Sequence, residues 1–204
     1  MIYIVLRINN NVLFLFILSM LKNFIPNLHI SSIYKLDLEY LKKLNIKLIL
    51  LDLDNTLISY NDKLPNEELI AFKDKLISEG FELILVSNSK KSRVEYFCDE
   101  FGIKYIKFAK KPMKKGFKQA LEIASKKYDI SEVCEIGDQV MTDVLGANRM
   151  KFTSILVDPI DRKSELFITK LNRVYESFFK FLVKIFKNKM YKKHFIEYIG
   201  EVND

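Results

Sequence analysis

Between residues 47 and 158 the chain repeats one alternation: a short, nearly unbroken apolar run, then a stretch whose apolar residues return every three or four positions. The runs are KLILLDLD (47–54), FELILVSN (81–88), 103–108, 132–137 and 153–158. Stretches 66–79, 91–101, 113–127 and 141–150 have helical spacing, and 35–44 supplies another before the first run. Asn66 is placed to cap the helix that follows it, and Gly80 to end it. Runs that are apolar on both faces, separated by helices, specify a parallel sheet covered on both sides. The expected fold is therefore α/β, a doubly wound, Rossmann-like parallel sheet of about five strands. Apolar residues make up 49% of the chain and charged residues 29%, which provides a core and excludes a disordered chain. Cys98 and Cys134 form no CxxC pair and cannot build a disulfide scaffold, so both are expected reduced in the interior of an intracellular protein. His29 and His194 are too few imidazoles for a His-rich metal site.

In such sheets ligands sit beyond the carboxyl ends of the strands. The first run ends in Asp52 and Asp54, the second in Ser87 and Asn88, the third continues to Lys111, and the fourth ends in Gly137 and Asp138. Three carboxylates brought to one rim repel each other unless a hard cation lies among them, and oxygen ligands of this kind suit Mg²⁺. A hydroxyl and an ammonium beside them could hold the remaining oxygens of a phosphate. Taken singly, each element has a plainer explanation. A strand-end acid or the Ser87–Asn88 pair can cap a helix, and Lys111 can be a solvated surface charge. Asp-x-Asp can begin a calcium loop, although Thr56 and Leu57 stand where such a loop needs Asp or Asn and then Gly. A receiver domain also has acids and a lysine at strand ends, but without a second acid spaced as Asp54 is. The occurrence of all of them in this order favours a phosphoryl-transfer site.

DLDNTL (52–57), Ser87, Lys111 within AKKP (109–112) and GDQVMTD (137–143) resemble the four motifs of the haloacid dehalogenase superfamily. With VSN (86–88), GDQVMTDVLGANR (137–149) and FITKLNR (167–173) added, the chain is similar to the YqeG family of subclass III phosphatases, relatives of the mitochondrial phosphatidylglycerophosphate phosphatase. The likeness covers about residues 20–176; Ala147 departs from it, where that family commonly has glycine. It implies Asp52 as nucleophile, and Asp54 as the acid that protonates the leaving group and then activates water. It implies Mg²⁺ held by the Asp52 carboxylate, the Asp54 backbone carbonyl and Asp138. Ser87 and the Asn88 amide would bind phosphoryl oxygens and Lys111 would stabilise transition-state charge. Asp143 would stand behind these groups, orienting Lys111 or a metal-bound water.

Thirty-three positions separate Asp54 from Ser87 and 24 separate Ser87 from Lys111, so neither gap can hold a cap domain. An uncapped site favours a phosphate presented by something large. The expected activity is a Mg²⁺-dependent phosphomonoester hydrolase with an aspartyl-phosphate intermediate, acting on a phosphorylated lipid head group and converting phosphatidylglycerophosphate to phosphatidylglycerol. The alternatives are a phosphatase of a soluble sugar or nucleotide phosphate, or a non-catalytic membrane- or RNA-associated adaptor. The complete motif set stands against the adaptor.

Charge is concentrated at the C-terminal end. Residues 1–161 carry a net charge of +2, whereas residues 162–193 hold ten basic and two acidic side chains. Within 166–187, Leu171, Val174, Phe178, Leu182 and Ile185 share one helical face, and Arg173, Lys180, Lys184 and Lys187 the opposite one. That pattern suits a helix lying in an anionic membrane surface, or one packing its aromatic face on the sheet or on a partner subunit. Nucleic acid is not expected as a partner. The apolar run Val12–Leu18 is too short to span a bilayer. Arg7 alone, with no small-residue cleavage pattern, makes a poor signal peptide. Residues 1–19 are read as an N-terminal extension or as sequence preceding a true start at Met20, 20–161 as the phosphatase domain, and 162–204 as a basic amphipathic tail. The expected location is the cytoplasm, peripheral on the inner face of the membrane.

Overall fold

The computed structural model describes residues 19–89 and 92–195; Met1 and the run Val12–Leu18 lie outside the described residues. Six strands, all parallel, form one sheet: β1 (Leu28–Ile30), β2 (Leu48–Leu51), β3 (Glu82–Val86), β4 (Lys104–Ile106), β5 (Val133–Gly137) and β6 (Thr153–Val157). Their order across the sheet is β1-β6-β5-β2-β3-β4. The sequence leads to about five strands. The sixth is β1, a three-residue edge strand in register with Ile155–Val157 of β6, too short and too polar at His29 to stand out as an apolar run.

Central β2 shows why its sequence is unbroken LILL: every residue is buried, with side chains alternating between two cores. Leu48 and Leu50 pack with Phe117, Ala120 and Phe152, while Ile49 and Leu51 pack with Leu69, Phe97 and Phe101. Burial of each such side chain stabilises the fold by about 1.5–3 kcal/mol relative to exposure, which commits β2 to the middle of the sheet.

The helices are α1 (Leu38–Lys43), α2 (Glu67–Ser78), α3 (Arg93–Phe101), α4 (Lys114–Ile123), α5 (Leu145–Met150), α6 (Phe167–Phe186) and α7 (Asn188–His194). Asn66 caps α2, its Oδ1 accepting from the Leu69 N–H at 2.8 Å, and Gly80 takes φ +92° just after the helix. Helix α4 stops four residues short of the spacing-based end at 127. The Glu82 carboxylate accepts from Ser125 N–H at 2.7 Å and from Tyr128 O–H at 2.8 Å, drawing the chain out of helical geometry at Ala124. The stretch 141–150 divides into a π-helical turn, Val140–Val144, and α5.

From β2 the chain proceeds to β3 and β4 on one side of the sheet, then returns to β5 and β6 on the other. The reversal makes a crevice at the carboxyl ends of β2 and β5, the place where open α/β sheets bind ligands. The connections on either side of β3 carry α2 and α3, with no inserted cap among the described residues.

Helix α6 packs on the domain, but not by its aromatic face. Thr169, Glu176 and Val183 are buried, Val183 beside Leu21 and Ile25, and Phe179 stacks on Phe24 with ring centroids 4.0 Å apart. Leu171, Val174, Phe178 (54% exposed) and Ile185 face outward, and only Leu182 of the predicted apolar face is partly covered. Packing of that face on the sheet is therefore overturned, and Arg173, placed by helical spacing among the solvated cations, points inward.

Candidate active site

The crevice is built around the ammonium of Lys111. Its Nζ lies 2.8 Å from Asp52 Oδ1, 3.1 Å from Glu135 Oε1 and 2.6 Å from Asp143 Oδ1, and the lysine side chain is almost wholly buried. Asp52 follows the last residue of β2, Glu135 lies within β5, and Asp143 comes from the π-helical turn, which aims it back at the strand end. The second Asp143 oxygen accepts from the Gln139 N–H at 3.0 Å. Gly137 makes room for this arrangement, since a Cβ there would stand 2.3 Å from Asp143 Cγ. The Asn88 side chain grips the backbone of Lys111 from both sides, accepting from its N–H at 2.6 Å and donating to its carbonyl at 3.1 Å.

Burial of so many charges shapes their titration. Burial pushes the Asp52 carboxyl up to about 7, with Asp143 and Asp54 adding to the rise and Lys111 opposing it. Burial likewise pushes Glu135 up to about 8 against the pull of Lys111. For Lys111, burial works to lower the value, but Asp143, Asp52 and Glu135 outweigh it and hold the ammonium charged.

Asp138, at the end of β5, is held from the opposite side by α6. Its Oδ2 accepts from Arg173 Nη2, and its backbone carbonyl accepts from Arg173 Nη1 at 2.6 Å. Burial raises the Asp138 carboxyl well above its usual range, although Arg173 opposes the rise. Its other oxygen, Oδ1, is buried with no hydrogen-bond partner. Asp52, Asp138 and Asp143 each offer a carboxylate oxygen within 4.8 Å of the others. An unsatisfied buried oxygen in a three-carboxylate cluster is costly by itself and fits an oxygen-seeking divalent cation. The side-chain cluster thus contains Asp143 and not the Asp54 carboxylate.

Asp54 stands nearer the opening, its Oδ1 2.7 Å from Arg93 Nη2. The turn after it places Asn55 at φ +64°, a left-handed conformation that asparagine tolerates better than most residues. Asp54, Tyr60, Arg93, Gln139, Thr142 and Thr169 are among the residues lining a cavity of about 220 Å³. Tyr60 O–H and Thr169 Oγ1 are 3.0 Å apart, which ties α6 to the rim. Ser87, buried after β3, uses its Oγ to accept from the Ser89 N–H at 3.1 Å. Among the predicted residues, Asp52, Asp138, Asp143 and Lys111 come together at the centre, Asp54 at the mouth, and Ser87 and Asn88 along the side that leads to Lys111.

A family model described as mitochondrial PGP phosphatase matches residues 8–161. The chain belongs to this family. It is also 39% identical over 155 residues to the "probable phosphatase YqeG" of Bacillus subtilis (strain 168), an alignment covering 76% of this chain and 88% of that one. Solved structures show a looser likeness. The cobalt-bound deoxy-D-mannose-octulosonate 8-phosphate phosphatase of Haemophilus influenzae has TM-score 0.46 and 11% identity over 74% of this chain and 99% of its own. The 3-deoxy-D-manno-octulosonate 8-phosphate phosphatase of Moraxella catarrhalis, in complex with magnesium, phosphate and KDO, has TM-score 0.41 and 17% identity over 73% and 98%. The family match and the Bacillus subtilis relative make the chain a phosphatase.

Ala147, the departure from the family's glycine, is fully buried beside Phe117 and Phe152, so the core holds its methyl group. At the neighbouring Gly146 a Cβ would come within 2.5 Å of the Phe117 ring, which makes that glycine the required one. Glu135, Arg93, Glu165 and Glu176 take part in the site without having been singled out from the sequence, and Arg173, read there as one of a face of cations, takes part as well. Glu135 carries a visible signal, as the lone charge in the otherwise apolar strand VCEIG. Arg173, Glu165 and Glu176 belong to the region beyond the matched residues.

Proposed function

We propose that this phosphatase is a Mg²⁺-dependent phosphomonoester hydrolase that removes the phosphate of phosphatidylglycerophosphate. The observation that carries the reading is the buried cluster of Asp52, Asp138 and Asp143 around Lys111, with Asp138 Oδ1 unpartnered. When bound, the cation would shield these anions from one another and polarise a phosphoryl oxygen; Asp52, Asp138 and the backbone carbonyl of Asp54 would hold it.

A carboxylate oxygen of Asp52 attacks phosphorus and the bond to the head-group oxygen breaks, dividing one hard displacement into two easier ones. Lys111, held by Asp143, Glu135 and Asp52, meets the charge that develops on the phosphoryl oxygens. Asp54, at the mouth of the cavity, gives its proton to the leaving alkoxide. It then takes a proton from the water that cleaves the aspartyl phosphate and releases inorganic phosphate. The Ser87 hydroxyl and the Asn88 amide bind phosphoryl oxygens; the Asn88 side chain is committed to the Lys111 backbone, which leaves that role to its main-chain N–H.

The lipid substrate rests on the family name and on α6. That helix borders the cavity through Thr169 and Asn172 and turns Phe167, Val174, Phe178, Phe181 and Ile185 to solvent. The segment that carries it is strongly basic, ten cations against two acids in 162–193. An apolar face in a basic segment suits the interface of an anionic bilayer, which would bring a head-group phosphate to the mouth. The proposed association is peripheral, on the cytoplasmic side; no helix among the described residues is long and apolar enough to cross a membrane. A substrate panel with Mg²⁺ tests this: phosphatidylglycerophosphate in micelles should be turned over at least about tenfold more efficiently than sugar or nucleotide phosphates. A preference for a soluble phosphate would overturn the lipid assignment and favour the soluble-substrate alternative.

A further inference from the structure

The contacts of Arg173 reach directly from α6 to Asp138. Nε donates to Glu165 Oε1 at 3.0 Å and Nη2 donates to the same oxygen at 2.8 Å and to Asp138 Oδ2. Nη1 donates to the Asp138 carbonyl at 2.6 Å and to Glu176 Oε2 at 3.0 Å. Five N–H groups are all that a guanidinium has, and all five have acceptors. Glu165 and Glu176 are both buried, and Lys180 holds the far oxygen of Glu176 at 2.7 Å. This guanidinium is therefore part of the frame and has no donor left to offer a substrate phosphate. It fixes Asp138 at two points, one on the backbone and one on the carboxylate, and the Oδ1 it does not touch is the buried, unpartnered one.

We propose that Arg173 is a positioning residue for the divalent cation: it locks Asp138 by Oδ2 and the main-chain carbonyl and so presents Oδ1 as a ligand, making α6 an integral part of the metal site. The inference rests on the metal reading given above. A planar fork is suited to this task, because it can meet the Asp138 carboxylate, its carbonyl and the two glutamates at once. An ammonium at the same position carries the charge without the geometry.

Charge and geometry predict opposite results, which makes the inference testable. Removal of Arg173 makes the surroundings of Asp138 more negative, so charge alone would tighten Mg²⁺ binding. Loss of a positioning contact behind a metal ligand weakens binding, by about 10–100-fold in comparable sites. Isothermal titration of the full chain with MgCl₂, without substrate, should be run on the parent, Arg173→Gln, Arg173→Lys and Lys170→Gln. Lys170 is exposed on the same helix and serves as the control. Arg173→Gln and Arg173→Lys should each weaken Mg²⁺ binding by about 10–100-fold, and Lys170→Gln should match the parent. If Arg173→Gln does not fold, Arg173→Lys keeps the buried charge and decides the matter. Parent-like or tighter binding by Arg173→Gln, or full rescue by lysine, would overturn the inference and leave the metal site standing. A parent that takes up no Mg²⁺ would overturn the metal reading, and the inference with it.

Discussion

Glu135 is a site acid whose removal should make the protein more stable. Its Oε1 pairs with Lys111 at 3.1 Å, while Oε2 is buried with no hydrogen-bond partner. Burial raises the carboxyl from 4.5 to about 8 in the folded chain. Below the unfolded value both states hold the proton and Glu135 costs nothing. As pH rises past 4.5, the unfolded chain releases the proton while the folded chain retains it, so stability falls until the folded value is passed. At roughly 1.4 kcal/mol per unit, the full penalty approaches roughly 5 kcal/mol, and roughly 3 kcal/mol of it develops between about pH 5 and about pH 7. Glu135→Gln keeps the shape and removes the titration, and Lys111 retains Asp52 and Asp143 as partners. At about 2–4 °C per kcal/mol for a chain of this size, the melting temperature of the variant should gain roughly 6–12 °C on the parent over that interval. Thermal unfolding of both proteins across pH, in the presence of a chelator, measures this difference directly. Curves that run parallel from acid to neutral pH would refute the reasoning. Turnover should fall in the same variant, because Lys111 loses one of the three groups that hold it; a stability cost retained at a site is the mark of a functional constraint.

Asp52→Asn should lower turnover of any phosphomonoester by at least about a thousandfold with the fold intact by circular dichroism, and Asp54→Asn should do the same while accumulating phospho-enzyme detectable by mass spectrometry; near-parental rates in either would remove its assigned role. Gly137→Ala places a methyl group 2.3 Å from Asp143 Cγ, so Asp143 must shift away from Lys111 and kcat should drop by about a hundredfold. Parental kcat in that variant would show that Asp143 does not hold Lys111 in place. Phe178→Asp, at an exposed position of α6, should leave the melting temperature within about 2 °C of the parent while abolishing cosedimentation with anionic vesicles. Undiminished cosedimentation, or no binding by the parent, would sink the bilayer reading.

What the sequence made legible follows from where side chains face two cores or one. LILL in β2 cannot be other than a central strand, because every residue is buried between helices, and the acids after it then have to stand on the rim. The same logic fails for β1, whose three residues include a half-buried histidine bonded to Asp158 and to the Phe195 carbonyl. It fails again for the end of α4, where one glutamate on a neighbouring strand outweighs helical spacing. AKKP holds two lysines, and the choice of Lys111 comes from the resemblance, since composition alone does not separate them. In the structure Lys110 lies over the Phe108 ring, 4.8 Å from its centroid, and Lys111 alone enters the carboxylates.

Helix α6 marks the limit of pattern reading most clearly. A helical wheel separates residues into faces correctly, yet it cannot say which face docks. The assumption that apolar faces go inward is a rule about water, and it yields wherever a buried anion demands a cation more strongly. Leaving Asp138, Glu165 and Glu176 buried without a partner would cost several kcal/mol, about 3–5 for a single broken buried pair, and Arg173 meets all three. Exposure of one Phe178-sized side chain costs only about 1.5–3 kcal/mol. The signal was nevertheless present: the only two acids in the basic segment 162–193 are Glu165 and Glu176, flanking Arg173 at spacings of eight and three. Two carboxylates in a run of ten cations have no work on a surface facing anionic lipid. Their place is on the inner side, Glu176 on the helix and Glu165 just before it, where they hold the arginine against the strand-end aspartate and leave the opposite face exposed.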